Sequence, residues 1–358
     1  MKIPNATRFF LGANTPSGFY SLYDTLVDYQ TDQTLYIIKG GAGCGKSSFM
    51  RKIAEGLIEA GLDVEQIHCS ADPDSLDAIY IPALKIAYAD GTAPHILEPT
   101  YPGVMEEYIN LDEFVDTAPL KEKKAEVITL TDTYRKLYQR AYHCLEAAGK
   151  VGFEASAPVI GDMVIAAVKK RTRGIIAREI GKQKNGTGKT RHRFLTALTH
   201  KGCIDCFDTA EALADRVYHL DNTLGFAHYM LEDLVKAAEQ AGLDLTLCPD
   251  PMNPDQLAHV LIPSLGLAFL SSNNQIQYEG THFRHIRLDA MADPARLKLQ
   301  KPRLRFAKKV SALLLDEAIH ILAEAKAVHD ELERIYNPHV DWDGIYDLAE
   351  DHLGRLLS

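Results

Sequence analysis

The sequence predicts an α/β protein of two tandem three-layer domains with mainly parallel sheets, plus helical extensions. Apolar runs of strand length alternate with amphipathic segments of helical length, and a long segment of the first half recurs in the second half. The chain has 358 residues, of which 46% are hydrophobic, and this length suits about two domains. A duplicated domain therefore explains the sequence better than one large domain does.

Elements of the first half alternate between strand and helix. The apolar run 35–39 precedes a glycine-rich loop and is typical of a buried parallel strand. Apolar residues then recur at helical spacing over 49–58, and Gly61 provides a C-terminal stop. We expect two further strands and one further helix, at 64–69, 84–89 and 134–148.

The second half repeats this order. Its predicted strands are 217–220, 243–247 and 265–270, and its predicted helices are 231–241, 303–336 and 342–357. We divide the chain into a first domain at 1–168, a basic linker or helical element at 169–192, and a second domain at 193–358.

An internal repeat supports this division. Residues 60–88 and 241–269 align without a gap at an offset of 181, and eleven of the 29 aligned residues are identical. Composition alone would give about two identities. The similarity continues in two flanking pairs of segments, 11–18 with 195–202 and 141–148 with 318–325. We therefore expect two halves of like topology.

Charge and hydropathy exclude several classes of protein. A net charge of -10 argues against general adsorption to nucleic acid or anionic membranes. The longest apolar stretches, 157–168 and 260–270, are too short to cross a bilayer, so no transmembrane segment is expected. We read no secretory signal at the N-terminus, and six scattered cysteines are typical of reduced thiols. These features predict a cytoplasmic protein.

A basic segment lies between the halves. Residues 169–193 contain ten Lys and Arg but a single acidic residue, Glu179. Apolar residues accompany the charges in an amphipathic arrangement, which favours a structural helix or linker. The alternatives are a protein partner, or local contact with phosphates of nucleic acid or lipid.

The glycine-rich loop carries the strongest functional signal. Gly40–Ser47 reads GGAGCGKS and matches the Walker A pattern G-x-x-x-x-G-K-[ST] between a predicted strand and a predicted helix. In such loops backbone N–H groups surround phosphate oxygens, and the N-terminal end of the next helix faces the same anion. The alternative is an ordinary glycine-rich turn. The expected nucleotide-binding residues are Gly40, Gly41, Ala42, Gly43, Cys44, Gly45, Lys46, Ser47 and Ser48.

Individual residues of the loop have expected roles. Lys46 should reach the β and γ phosphates, and the Ser47 hydroxyl should bind Mg²⁺. The helix end should also lower the pKa of the Cys44 thiol. A second metal ligand is expected at the end of a neighbouring strand, where Asp90 is the Walker B candidate. Lys46 and Asp90 are thus the predicted catalytic residues, and the competing carboxylates are Asp72 and Asp74.

The residue after Asp90 bears on turnover. Many ATP hydrolases place a glutamate there to orient water, whereas this chain has Gly91. Slow or partner-stimulated hydrolysis is therefore expected, and a P-loop kinase is the alternative. Residues that could polarise a nucleophile, although each also suits a loop or surface position, are His95, Glu106 and Glu107.

The equivalent loop of the second half lacks these features. The constant offset places Asp221, Leu224, Phe226, Ala227 and His228 opposite Gly40, Gly43, Gly45, Lys46 and Ser47. An aspartate repels phosphate, bulky side chains fill the space that the backbone must leave, and no ammonium remains. The second half is therefore predicted to be degenerate, although another ligand held by His228 is an alternative.

Six stretches together carry a resemblance to a known family. They are GFYSLYD at 18–24, the loop at 40–47, HCSADPDSLDAIYIP at 68–82, DGTAPH at 90–95, EEYINL at 106–111 and RHRFLTALT at 191–199. In these stretches the chain resembles a poorly characterised family of bacterial ATPases built from two tandem P-loop domains. The resemblance covers nearly the whole chain, and similar proteins often carry a second intact phosphate loop.

The resemblance implies ATP binding and hydrolysis but names no substrate. We therefore expect a Mg-ATP-binding protein, a slow or partner-stimulated ATPase with one active and one degenerate P-loop NTPase-like half. Its expected cofactors are ATP and Mg²⁺. The alternatives are a kinase of small molecules or nucleotides, and a nucleotide-dependent module that binds nucleic acid or membrane without turnover. The oligomeric state stays open.

Overall fold

Two six-stranded sheets form the centre of the computed structural model, which describes residues 6–31, 33–181 and 187–358. The strands of the first half are β1 (Ala6–Phe10), β2 (Gly12–Thr15), β3 (Gly18–Ser21), β4 (Thr34–Lys39), β5 (Val64–His68), β6 (Leu76–Ile81), β7 (Ile86–Asp90) and β8 (Glu106–Asn110). Those of the second half are β9 (Thr190–His192), β10 (Thr196–Thr199), β11 (Gly202–Asp205), β12 (Arg216–Asp221), β13 (Leu245–Asp250), β14 (Asn253–Ile262), β15 (Leu267–Ser272) and β16 (Arg284–Ile286).

Eight α-helices accompany these strands in the described ranges. They are α1 (Lys46–Glu59), α2 (Thr117–Glu122), α3 (Lys124–Ser156), α4 (Asp162–Glu179), α5 (Phe207–Leu213), α6 (Ala227–Gln240), α7 (Pro294–Tyr336) and α8 (Trp342–Leu357). Each strand and helix predicted from the sequence overlaps one of these elements. The chain is therefore an α/β protein, as predicted.

The two sheets have the same topology. The first has the strand order β1-β5-β6-β7-β4-β8, and the second, starting from its β9 edge, has the order β9-β13-β14-β15-β12-β16. Each sheet is mixed but mostly parallel, with one central strand, β6 or β14, antiparallel to both neighbours. A β-hairpin accompanies each sheet, β2-β3 in the first half and β10-β11 in the second.

Strand pairing defines which positions of the two halves are equivalent. Tyr36 pairs with Tyr88 in the first sheet, and Tyr218 pairs with Phe269 in the second. Equivalent residues of β4 and β12 are therefore one residue further apart in sequence than equivalent residues of α1 and α6. The reason is that the loop between strand and helix is one residue shorter in the second half. Asp221 ends β12 as Lys39 ends β4, so the predicted alignment of Asp221 with Gly40 is wrong.

The inner faces of both sheets share one core. Leu35 and Ile37 of β4 belong to the same buried cluster as Val217 of β12 and Leu270 of β15. The short helix α5 contributes Phe207 to this core. The expectation of three separate layers in each half is therefore wrong for the inner faces, because each apolar inner face is buried against the opposite half.

The outer faces are covered by exchanged helices. Ile345 of α8 packs in one buried cluster with Phe49 of α1, although α8 lies at the end of the second half. Conversely, Val164 of α4 packs in one cluster with Leu231 of α6. The long helices α3 and α7 pack along each other and connect these exchanged helices to their sheets of origin.

The basic segment begins inside helix α4. The predicted domain boundary between residues 168 and 169 falls within this helix, whose residues Val168, Thr172 and Ile175 are buried. Arg171 and Arg173 of the same helix are exposed. Both Arg178 and Arg216 form ion pairs with Glu179. Residues 182–186 of the predicted linker lie outside the described residues.

The sequence predicts no transmembrane segment, and the helices can be compared with this expectation by their length and hydropathy. In the described part of the chain, no single helix is long and apolar enough to cross a membrane. The segments Lys124–Val159 and Asp162–Glu179 meet those criteria of length and composition only together, across a bend of 88°.

We predict that His259 makes stability depend on pH. Burial lowers the pKa of this histidine to about 3, and its Nδ1 accepts a hydrogen bond of 3.1 Å from the Ser271 N–H. The unfolded chain takes up this proton near pH 6.5, so stability falls as the pH decreases below that value. Between pH 7 and pH 5, His259 should reduce the free energy of unfolding by about 2 kcal/mol.

The His259→Asn variant tests this prediction, because the Asn oxygen can replace Nδ1 as acceptor but does not titrate in this range. Urea unfolding at both pH values should show a smaller loss of stability in the variant than in the wild type. Equal losses in the two proteins would contradict a neutral, buried His259.

Candidate functional site

The glycine-rich loop lies where three parallel strands end. It follows β4, whose neighbours β7 and β8 run parallel to it, and it leads into α1. Gly43 and Gly45 have φ values of 65° and 86°, a left-handed conformation that favours glycine. Carboxyl ends of parallel strands next to a helix N-terminus are the usual place for an anion site in an α/β protein.

Lys46 and Asp90 form an ion pair beneath the loop. The Lys46 Nζ lies 3.7 Å from an Asp90 carboxylate oxygen, and the two side chains are only 12% and 13% exposed. Burial is the largest single effect and opposes the charge of Lys46, but Asp90 and the other acidic groups nearby together outweigh it and raise the pKa of the ammonium group. The same Nζ donates hydrogen bonds to the carbonyl oxygens of Gly40 (2.9 Å) and Gly41 (2.8 Å). Lys46 is therefore charged and turned back onto its own loop.

Two further titratable groups lie beside Asp90. Oxygen atoms of Asp77 and Asp90 and a ring nitrogen of His95 lie within 4.8 Å of one another. Burial raises the pKa of the Asp77 carboxyl, which accepts a hydrogen bond of 2.9 Å from the Tyr23 hydroxyl. His95 is 6% exposed and stacks on Tyr23 with a centroid distance of 4.5 Å. Neither ring nitrogen of His95 has a hydrogen-bond partner among the described residues.

Sequence reasoning missed Asp77. It lies on β6, which no apolar run had predicted, and its side chain is buried inside the sheet region. The available signal was the repeat itself, in which Asp77 is opposite Ala258. A carboxylate at a strand position that is apolar in the other half indicates a special role.

Ser47 has a structural role that both halves share. Its hydroxyl oxygen accepts a hydrogen bond of 2.9 Å from the Leu76 N–H. At the equivalent positions, the His228 Nδ1 accepts a hydrogen bond of 3.3 Å from the Leu257 N–H. This contact holds the start of α1 against β6 and the start of α6 against β14. It gives His228 a structural role.

The end of α7 covers the loop. A Cβ atom added to Gly41 would lie 2.9 Å from the Tyr336 ring, and one added to Gly43 would lie 3.1 Å from the Cβ of Glu333. The Asn337 side-chain amide, oriented by its hydrogen bonds, donates to the Gly43 carbonyl at 2.8 Å. Close packing of α7 therefore accounts for part of the glycine pattern, independently of any ligand.

Cys44 differs from its predicted chemistry. Its side chain is fully buried in the cluster beneath α1. Burial raises the pKa of the thiol, and the nearby ammonium of Lys46 only partly offsets this effect. The predicted lowering of the Cys44 pKa is therefore wrong, because desolvation of the thiolate exceeds the attraction from the helix end and Lys46.

The competing carboxylates lie elsewhere. Asp72 forms an ion pair of 3.3 Å with Lys326 of α7, and Asp74 pairs with Lys201 at the surface. Glu106 is buried and accepts a hydrogen bond of 2.8 Å from the Tyr101 N–H, which is a structural contact. Of the predicted carboxylates, Asp90 is therefore the one that pairs with Lys46.

The second loop binds an internal carboxylate. Asp289 accepts hydrogen bonds of 3.1 Å from the N–H groups of Thr223 and Leu224, and another from the Thr223 hydroxyl. In the first half, the equivalent Asp112 accepts one such bond of 2.9 Å, from the Gly41 N–H. Three groups of the first site have no counterpart, since Asp77, Asp90 and Lys46 are opposite Ala258, Ser271 and Ala227.

A large cavity faces the second loop. It has a volume of about 1200 Å³ and is lined by parts of α3, α7 and the loop around Thr223. By the repeat, its lining residues Gly149, Gly152 and Ser156 of α3 are equivalent to Lys326, His329 and Glu333 of α7, which close the first site. The cavity is open because small side chains replace large polar ones, and the N–H groups of its loop are already bound by Asp289.

Comparisons with known proteins assign neither site: no protein-family model, curated protein or solved structure matches the chain. The choice of the first loop as the candidate site therefore rests on the chemical difference between the halves. Lys46 and Asp90 meet beside a glycine loop in the first half, and their equivalents are Ala and Ser in the second. The first site can bind an anion through Lys46 and the helix end.

We predict that Ser47→Ala destabilises the free protein. The substitution leaves the Leu76 N–H without its acceptor, which should reduce the free energy of unfolding by about 1 kcal/mol. Urea unfolding without ligand measures this effect. The matched control is Ser48→Ala, because the Ser48 hydroxyl makes no hydrogen bond within the described ranges, and its stability should equal that of the wild type. Equal stability of the two variants would contradict the structural role of Ser47.

Proposed function

We propose that the chain is a Mg-ATP-binding protein, a slow or partner-stimulated ATPase with one active and one degenerate P-loop half. One observation carries this proposal: Lys46 and Asp90 meet at 3.7 Å beside a full Walker A sequence, at the carboxyl ends of adjacent parallel strands. The loss of both charges at the equivalent positions supports it, because a purely structural ion pair would suit either half.

The residues present fit a nucleotide and a hard cation. Lys46 would exchange its contacts with the Gly40 and Gly41 carbonyls for the β and γ phosphate oxygens. Ser47 and Asp90 supply hydroxyl and carboxylate oxygens, the donors that Mg²⁺ prefers. When bound, Mg²⁺ would neutralise part of the phosphate charge.

Nucleotide entry requires the end of α7 to move. Tyr336 and Asn337 lie on the loop, and Lys46 is largely buried under it. The free energy of displacing these contacts reduces the apparent affinity for ATP. Together with Gly91 in place of a water-orienting glutamate, this supports slow turnover that a partner could accelerate by holding α7 away.

A kinase is the second candidate, and the cluster at Asp77 and His95 favours it. His95 is buried with no hydrogen-bond partner among the described residues, and it could accept a proton from an acceptor hydroxyl. Incubation with γ-labelled ATP and a metabolite pool separates the candidates. Free phosphate supports the ATPase, whereas a labelled metabolite supports the kinase.

We predict that Lys46→Ala weakens Mg-ATP binding about a hundredfold or more. The variant loses charge-assisted hydrogen bonds to the phosphates but no apolar packing. Titration calorimetry measures the affinity, with Lys52→Ala as the matched control. Lys52 lies on the same helix, is partly exposed and pairs with Glu350 at 3.0 Å. Unchanged affinity in folded Lys46→Ala would refute the assignment.

We also predict one nucleotide per chain. The second loop is one residue shorter and donates its N–H groups to Asp289, so a lysine alone cannot rebuild a phosphate site there. Equilibrium dialysis with labelled ATP should give one nucleotide per chain for both the wild type and Ala227→Lys. Two nucleotides per wild-type chain would overturn the assignment of a degenerate half.

A further inference from the structure

Three potential metal ligands meet on the second sheet. His219 and Asp221 lie on the same face of β12, and His285 lies on the adjacent parallel strand β16, directly opposite His219. Donor atoms of these three residues lie within 4.8 Å of one another. The group is partly exposed, so an ion can reach it from solvent.

A third imidazole lies close by. The ring of His282 is centred 5.6 Å from that of His219 and 5.7 Å from that of His285, and the rings of His219 and His285 are 4.6 Å apart. Two imidazoles on one tetrahedral zinc ion, with bonds of about 2.1 Å, have ring centres roughly 5 Å apart. The three histidines are therefore spaced as ligands of a common ion, with Asp221 completing four donors.

These residues are specific to the second half. Strand pairing makes Ile37 the equivalent of His219, Tyr108 the equivalent of His285 and Lys39 the equivalent of Asp221. The fold itself therefore requires neither imidazole nor carboxylate at these positions. Lys39 in place of Asp221 also makes the equivalent position on the first sheet unsuitable for a cation.

We propose that His219, Asp221, His282 and His285 form a binding site for a divalent transition metal ion, with zinc as the best match. Imidazole nitrogens with one carboxylate oxygen are a common ligand set for this ion, whereas Mg²⁺ and Ca²⁺ prefer oxygen donors alone. The site does not depend on the nucleotide function of the first half.

Metal binding changes the local contacts in a defined way. The His219 and His285 rings now stack within 10° of parallel, so their lone pairs do not converge, and one ring must rotate. His285 at present lies 2.6 Å from Asp221, and the His219 Nε2 lies 2.7 Å from the Ser272 hydroxyl.

Two other groups of potential ligands fit a metal less well. Asp77, Asp90 and His95 belong to the first site, where Asp90 already pairs with the Lys46 ammonium. His329, Asp330 and Glu333 lie along α7, where Lys326 already pairs with Asp330. The second-sheet cluster has three imidazoles, and its ion pair between His285 and Asp221 is internal to the cluster.

Cobalt(II) titration of the full-length, nucleotide-free chain tests the proposal, because tetrahedral Co²⁺ absorbs strongly in the visible range. We expect one Co²⁺ per chain, displaced by Zn²⁺, and at least about tenfold weaker binding in His285→Ala and His219→Gln. The control is His320→Ala, an exposed α7 histidine near Glu324, which should bind as the wild type does.

Two results would overturn the site: no strong Co²⁺ spectrum in the wild type, or unchanged affinity in both histidine variants. Thermal unfolding without metal shows whether each variant is folded. If one is not, Asp221→Asn, which keeps the shape of a partly exposed side chain, takes its place with the same expected loss of affinity.

Discussion

The helices α1 and α6, which pack on the two sheets, are each covered by a helix from the opposite half. The apolar surface of α1 is buried under α8, and that of α6 is buried under α4. Burial of such a surface contributes about 25 cal/mol per Å². The exchange requires the long helices α3 and α7 to run past each other, and together with the shared inner core it makes the two sheets one structural unit.

The exchange also determines access to the first site. Because α7 leads into α8 and α8 packs on α1, the end of α7 passes over the glycine loop. Tyr336 and Asn337 therefore lie on this loop. At the second sheet, the equivalent part of α3 has small residues and leaves a cavity. A partner that moves the α3–α7 pair would therefore change the exposure of Lys46 without touching it.

The duplication acts as an internal comparison. Contacts present in both halves belong to the fold. In each half an aspartate accepts hydrogen bonds from loop N–H groups, and a helix side chain accepts a hydrogen bond from an N–H group of the central antiparallel strand. Groups present in one half have another cause. Lys46, Asp90 and Asp77 distinguish the first half, whereas the histidine cluster distinguishes the second.

The sequence was sufficient to predict the class of fold, the glycine loop and a strand-end position for Asp90 next to it, because these follow from local periodicity and from where parallel strands end. It could not predict the exchange of α4 and α8, since an amphipathic pattern shows that a face is buried but not what covers it. Asp77 was missed because β6 shows no clean apolar run. The His219–His285 pair depends on strand register, which only the folded chain reveals.

Nucleotide binding at the first loop is tested most directly by a crystal structure of the chain with Mg²⁺ and a non-hydrolysable ATP analogue. We expect phosphates on the loop Gly40–Gly45, Lys46 turned from the loop carbonyls towards them, and the last turn of α7 displaced. Nucleotide bound in the second-sheet cavity, with Lys46 still donating to Gly40 and Gly41, would contradict this expectation.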